Sequence, residues 1–290
     1  MGIALVLGCG LVAFGPSLML WAMVLGKRPA LVIIGLIGAF FWLASMAAAS
    51  VLWTILPAAQ DGWVLTIITG VGLQSFGRLA LAKVYVKTET VVNAAADSVP
   101  ASSPSADDEF DGAGRHEAAR GGGDTGGGIR TGRRRRDDGD VSVHRRQDSA
   151  GVLKLNGVSS SIAAGVGWGL IHALILVGTA LSKHTGPGAA FSPSCPHVPS
   201  VIVSALSAQA FVVLDLFLMA AAFAAVRSGN AGLMCFSFGL HFLAALTTGF
   251  NFVEGGCAVS LPLLYAVVVV SAIALARYGP LRSAMTRLRR

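Results

Sequence analysis

The sequence predicts an all-α polytopic membrane protein of seven transmembrane helices, N-terminus outside or lumenal and C-terminus cytoplasmic. Three observations carry that prediction. Hydrophobic residues fill 54% of the 290 positions and charged residues only 13%, about half the charged share of a soluble domain. Apolar runs of twenty or more residues, each long enough to cross the roughly 30 Å hydrocarbon core, recur seven times. Lysine and arginine are also segregated by loop. Nineteen of 22 fall in loops one, three and five or the C-terminal tail, and only Lys183 falls on the opposite side, which sets the orientation.

The spans lie near 3–26, 31–56, 63–85, 157–181, 201–226, 231–253 and 257–276. The first has no positive residue ahead of its apolar run, and Lys27 and Arg28 follow it, the arrangement of an uncleaved span rather than a signal peptide. The sixth and seventh are separated only by Glu254, Gly255 and Gly256, which demands a tight turn. Domain organisation follows: helices one to three over 1–86, a cytoplasmic loop over 87–152, helices four to seven over 153–276, and a basic cytoplasmic tail over 277–290.

The third loop is a different material. It holds the glycine runs Gly121–Gly123 and Gly126–Gly128, the acidic patch Asp107–Glu109, and Arg133–Arg136 followed by Asp137 and Asp138. With so little to bury, it reads as disordered. The four arginines read as solvated, with contact to anionic membrane lipids the weaker reading. The glycines have no preceding strand to make a phosphate loop. Among the four cysteines, Cys9 and Cys235 lie inside spans, while Cys195 and Cys257 share the outer side. That compartment permits a disulfide between them, but their separation is not legible in the sequence.

The fourth span carries small residues every fourth position: Gly157, Ser161, Gly165, Gly169 and Ala173. In a helix this cuts a groove along one face, and in a bilayer such a groove lets a second helix backbone approach. Ionisable groups inside the membrane are the second signal, since each costs about 2.5–3.5 kcal/mol at a helix centre and normally faces a partner. Span three has Gln74 and Arg78, span four His172, span five Asp215 and span six His241. Asp215 and His241 both lie roughly 17 Å from the turn joining their antiparallel spans, so they are expected to hydrogen-bond across the two helices or around a small polar cavity.

This set does not resemble a reaction centre. Asp215 is the one acidic residue well inside a span, whereas an intramembrane aspartyl protease needs two carboxylates sharing a proton. Neither a His-Glu-x-x-His zinc signature nor a serine-protease arrangement is present. No metal, cofactor or nucleic acid is expected. The pair therefore reads as interhelical glue, with proton- or ion-coupled transport through Asp215 and His241 as the alternative. A seven-span receptor is disfavoured because span three ends Lys83-Val84-Tyr85 and span seven lacks asparagine.

Several stretches are similar to one family. They are Gly8-Cys9-Gly10-Leu11-Val12-Ala13-Phe14-Gly15-Pro16, Gly38-Ala39-Phe40-Phe41-Trp42-Leu43, Leu73-Gln74 with Arg78, Gly239-Leu240-His241-Phe242-Leu243, and Leu261-Pro262-Leu263-Leu264-Tyr265-Ala266-Val267. With the Ser161, Gly165, Gly169 repeat, they make the chain resemble the anterior-pharynx-defective family, the seven-span scaffold subunit of γ-secretase. The resemblance implies a non-catalytic subunit that binds nicastrin, cradles presenilin and works with the presenilin enhancer subunit in intramembrane proteolysis. It implies residence in endoplasmic reticulum, Golgi and plasma or endosomal membranes. It also implies that the span-four groove receives presenilin helices. Three positions depart from the pattern: Ser161 replaces a repeat glycine, Asp215 replaces the first of two histidines, and Ser75 replaces a glutamate beside Gln74.

Overall fold

A computed structural model describes residues 3–26, 28–57, 62–98, 157–182 and 191–278. Among the described residues, seven helices are long and apolar enough to cross a membrane. They are α1 (Ile3–Leu20), α2 (Pro29–Ile55), α3 (Trp63–Ser98), α4 (Gly157–Ser182), α5 (Ser200–Ser228), α6 (Ala231–Thr247) and α7 (Cys257–Tyr278). A two-stranded antiparallel hairpin, β1 (Phe191–Ser192) and β2 (Cys195–Pro199), precedes α5. The described residues up to 89 and from 157 onward form one compact unit, and 90–98 belong to a second.

Helix ends follow local chemistry. Proline opens α2 at Pro29 after an extended Arg28, where its missing N–H costs nothing. Gly229, at φ 63°, ends α5 in the left-handed conformation that glycine adopts freely. The next residue, Asn230, caps α6 by accepting from the Leu233 N–H at 3.1 Å. Together they make a two-residue reversal between spans. α1 runs into a π-helical turn, Trp21–Leu25, closed by Gly26 N–H to Trp21 O at 2.8 Å, and α6 tightens into a 3-10 turn, Thr248–Phe252.

Two results alter the sequence reading of the loops. First, α3 does not stop near residue 85: it continues to Ser98, so 87–98 of the segment read as disordered is helical. Hydropathy marks where the membrane ends, and a helix continues beyond it wherever propensity allows, here through Glu89 and Ala94–Ala96. The rest of that loop, including Arg133–Arg136, and the tail beyond Tyr278 lie outside the described residues, as do Lys27 and Lys183. Second, Cys195 and Cys257 are disulfide-bonded, with Cα atoms 5.7 Å apart. The hairpin is further tied to the α6–α7 turn by Gly255 N–H to Pro193 O at 3.2 Å and Cys257 N–H to Ser194 O at 3.1 Å.

The centre of the bundle is α4 and α5. Of the most apolar stretch of each, 56% is buried, against 17% of that of α1. One apolar cluster joins Phe211, Leu214 and Leu218 of α5 to Leu240 of α6 and Leu264 and Val267 of α7. A second joins Cys9 and Ala13 of α1 to Ala173 and Val177 of α4 and Val201 and Val212 of α5. The outward faces, such as Leu7 and Leu11 of α1 and Leu36 and Phe40 of α2, remain exposed apolar surface, which a bilayer covers at no cost.

Candidate functional site

α4 packs against two neighbours through two different small-residue seams. Toward α5, a methyl added at Gly165 would sit 3.0 Å from the Leu216 Cα, and one at Gly169 would sit 3.2 Å from the Val212 Cα. Both glycines therefore let side chains of α5 rest on the α4 backbone. Toward α2, an added methyl at Gly167 would overlap the Gly35 carbonyl, and one at Gly38 would overlap the Ala164 carbonyl. Backbone meets backbone there, with no room for any Cβ. Ser161, also buried, donates its hydroxyl to the Val158 carbonyl of its own helix at 2.9 Å, so its polarity is spent locally.

The groove on α4 thus has an occupant within the chain. Gly165 and Gly169 are filled by α5, so they hold the fold rather than standing open to a second protein. Periodicity alone reveals that a helix face is small, not which helix covers it. The packing role of Gly35, Gly38 and Gly167 is not evident from the spacing of four; the available signal is glycines and alanines spaced three apart, as at Gly35/Gly38 and Ala164/Gly167.

A polar cluster lies beside these seams. Arg78 of α3 donates from Nη2 to Asp215 Oδ1 of α5 at 2.5 Å. His172 of α4 meets the other carboxylate oxygen, Nδ1 to Oδ2, at 2.7 Å; the carboxylate can only accept, so the histidine donates. Arg78 Nη1 lies 3.4 Å from His241 Nδ1 of α6, and the Ser75 hydroxyl lies 3.0 Å from the same nitrogen. Since arginine has no acceptor, His241 accepts at Nδ1 and carries its ring proton on Nε2. Arg78 is 2% exposed and Asp215 is fully buried. One cation and one anion cancel, and four helices are tied by five side chains.

Aromatic and thioether groups enclose the charges. The Arg78 guanidinium stacks 4.9 Å over the Trp168 ring. His172 is held between Trp42 at 5.3 Å and Phe211 at 5.0 Å. Gln74 donates to the Met46 sulfur of α2 at 3.0 Å. A cavity of about 500 Å³ descends from the hairpin end to this cluster, with Ser192, Ser204 and Thr66 on its upper walls and Gln74, His172 and His241 at its lower end. Among the described residues, no group of three or more His, Cys, Asp or Glu could hold a metal ion.

The structure brings together Arg78, His172, Asp215 and His241, with Gln74 alongside. Of the two arrangements expected for Asp215 and His241, a direct hydrogen bond is not formed, because Arg78 stands between them; a cavity does reach the cluster, with His241 and His172 among its lining. Depth fixes a residue's height in the membrane but not the face of the helix it occupies. Arg78 lies fifteen residues after the start of α3, and Asp215 fifteen after the start of α5. Both helices run the same way, so that equal offset was the signal pairing these two. Ser75, Trp42 and Trp168 were not anticipated as members of the cluster.

Comparison with known proteins completes the picture. The family model described as Aph-1 protein matches residues 4–279. The gamma-secretase subunit APH1-like of Arabidopsis thaliana is 27% identical over 277 residues, covering 94% of this chain and 92% of the relative. The gamma-secretase subunit APH-1B of Mus musculus is 32% identical over 93 residues, 29% of this chain and 36% of the relative. The gamma-secretase subunit aph-1 of Caenorhabditis elegans is 29% identical over 97 residues, 32% of this chain and 30% of the relative.

Proposed function

The chain belongs to the Aph-1 family, and from that premise we propose that it is a non-catalytic scaffold subunit of a γ-secretase complex. In this reading it binds presenilin and nicastrin, supports assembly with the presenilin enhancer subunit, and contributes no group to peptide-bond cleavage. In the same reading its N-terminus is lumenal and its C-terminus cytoplasmic, which the lysine and arginine bias supports, and it resides in endoplasmic reticulum, Golgi and plasma or endosomal membranes.

The observation that carries this reading is how the intramembrane polar groups are spent. Both oxygens of Asp215 are engaged, by Arg78 and by His172. A carboxylate so held fixes helices to one another, which suits a rigid scaffold. A proton- or ion-coupled transporter would need Asp215 to change partners during each cycle, so the same geometry weighs against that alternative. With α4 saturated by α2 and α5, the scaffold meets its partners through exposed apolar faces, of which Leu36 and Phe40 on α2 are examples.

The test is affinity purification of a tagged chain from membranes solubilised in mild detergent. Recovery of presenilin and nicastrin homologues in near-equal amounts is expected. A monomer or homo-oligomer recovered from cells containing those homologues would overturn the reading.

A further inference from the structure

α5 carries a row of hydroxyls into the membrane. Ser200, Ser204 and Ser207 fall four and three residues apart, so they share one helix face, and that face lines the cavity of about 500 Å³ above the polar cluster. Hydroxyls elsewhere in the spans are spent locally. Ser45, Thr54, Thr69 and Ser271 each donate to a carbonyl one turn back in their own helix. Ser204 and Ser207 do not: neither hydroxyl has a hydrogen-bond partner among the described residues, so both are left to the cavity.

The lower end continues the pattern. His172 donates its Nδ1–H to Asp215, so its neutral ring keeps an acceptor at Nε2. His241 accepts at Nδ1 and offers its Nε2–H. Gln74 gives its amide N–H to Met46 and keeps its carbonyl oxygen. None of these three remaining atoms has a partner among the described residues, and Gln74 and His241 are more than nine-tenths buried. Nearer the mouth, the Asn251 side-chain oxygen is also buried with no partner among the described residues. No aspartate, glutamate, lysine or arginine is among the described residues that line the cavity. The rest of the wall is apolar, with Val71, Leu176, Val203 and Phe211.

These walls select a ligand. A charged solute would surrender its hydration there for no counter-charge. Water alone fits poorly, because each buried molecule needs about two to four polar partners and the apolar wall supplies none. The three serines are about 6 and 4.5 Å apart along the helix axis, which calls for polar groups repeated along the ligand rather than one at its end. The floor places donor and acceptor together, as a hydroxyl requires. The volume is that of small-molecule sites, about 300–1,000 Å³. We propose that the cavity binds a small neutral polyol, its hydroxyls on Ser204, Ser207, Gln74 and the Nε2 atoms of His172 and His241, its C–H edges on the apolar wall. The binding rests on neither membrane orientation nor membership in a complex.

The experiment is a saturation-transfer NMR titration of sorbitol, a six-carbon polyol, against the full chain in phosphatidylcholine nanodiscs. Sugar-headed detergents are left out, since their headgroups share the ligand's chemistry. Saturable contact is expected at roughly millimolar concentration. Gluconate, the same chain ending in a carboxylate, should bind at least about tenfold more weakly. Ser204→Ala and Ser207→Ala should each weaken sorbitol binding about fivefold, the worth of one hydrogen bond. Neither should lower thermal stability in the absence of sorbitol, because neither hydroxyl has a described protein partner to lose. A signal that does not saturate, as from a cavity holding water alone, would overturn the proposal. So would equal binding of gluconate, or undiminished binding in the Ser204→Ala/Ser207→Ala double variant.

Discussion

Replacing Arg78 by methionine should destabilise the bundle more than replacing Arg78 and Asp215 together. In the single variant the Asp215 carboxylate stays fully buried, with the His172 N–H as its remaining partner. Removing one member of a buried ion pair costs about 3–5 kcal/mol. Asp215→Leu keeps the branched shape of the side chain but strands the Arg78 guanidinium at a comparable cost. In Arg78→Met/Asp215→Leu both charges are gone, and the main loss is the acceptor of the His172 N–H, about 1–3 kcal/mol. The assay uses Cys9, a buried free thiol; the other free cysteine, Cys235, is exposed and is first changed to serine. Labelling of Cys9 in detergent then reports opening of the bundle. Each single variant should raise the opening equilibrium between about a hundredfold and several thousandfold, and the double variant by about five- to a hundredfold. A double variant as unstable as the sum of the singles would show that the two residues act independently, and the cluster would not be the device described.

Gly167→Ala should prevent α2 and α4 from closing, because the new methyl would overlap the Gly35 carbonyl, whereas Gly178→Ala, with open space around it, should be silent; Cys9 labelling distinguishes them. Gly165→Leu should destabilise the isolated chain before any partner is added, since its neighbour is Leu216 of α5; normal stability alone, with loss only of partner capture, would restore an intermolecular role for that face. Ser75→Ala should cost about 1 kcal/mol, one hydrogen bond to His241 with Arg78 still in reach, read as a small rise in the same labelling. Cys257→Ser should remove the faster-migrating oxidised form on a non-reducing gel and lower thermal stability; a loop of 62 residues predicts about 4 kcal/mol from chain entropy.

The spans and the costly residues inside them were legible because both signals are one-dimensional. A run of apolar residues and a stranded charge can each be read by counting. Which groups meet is a question of helix rotation, and a single sequence carries little information on that angle. Asp215 and His241 were matched by depth, yet Arg78 occupies the space between them. Gly165 and Gly169 announced a tight seam, but the backbone-to-backbone contact of Gly35 and Gly167 followed a spacing of three that a search for fours passes over. The hairpin is short and irregular, with a register shift between Phe191 and Ser192, and it owes its form to the disulfide and the α6–α7 turn rather than to strand propensity.

The Cys195–Cys257 bond also records the history of the chain. Cys257 opens α7, the last span, and its partner lies ahead of α5, sixty-two residues earlier. The two thiols can meet only when α5 and α6 have crossed as a pair and α7 has started from the same face. A chain stalled after the sixth span, or one with a span turned over, presents Cys195 without its mate. Oxidation therefore seals a correctly threaded molecule and leaves a mis-threaded one with a reactive thiol exposed, which is a chemical distinction a quality-control system can act on.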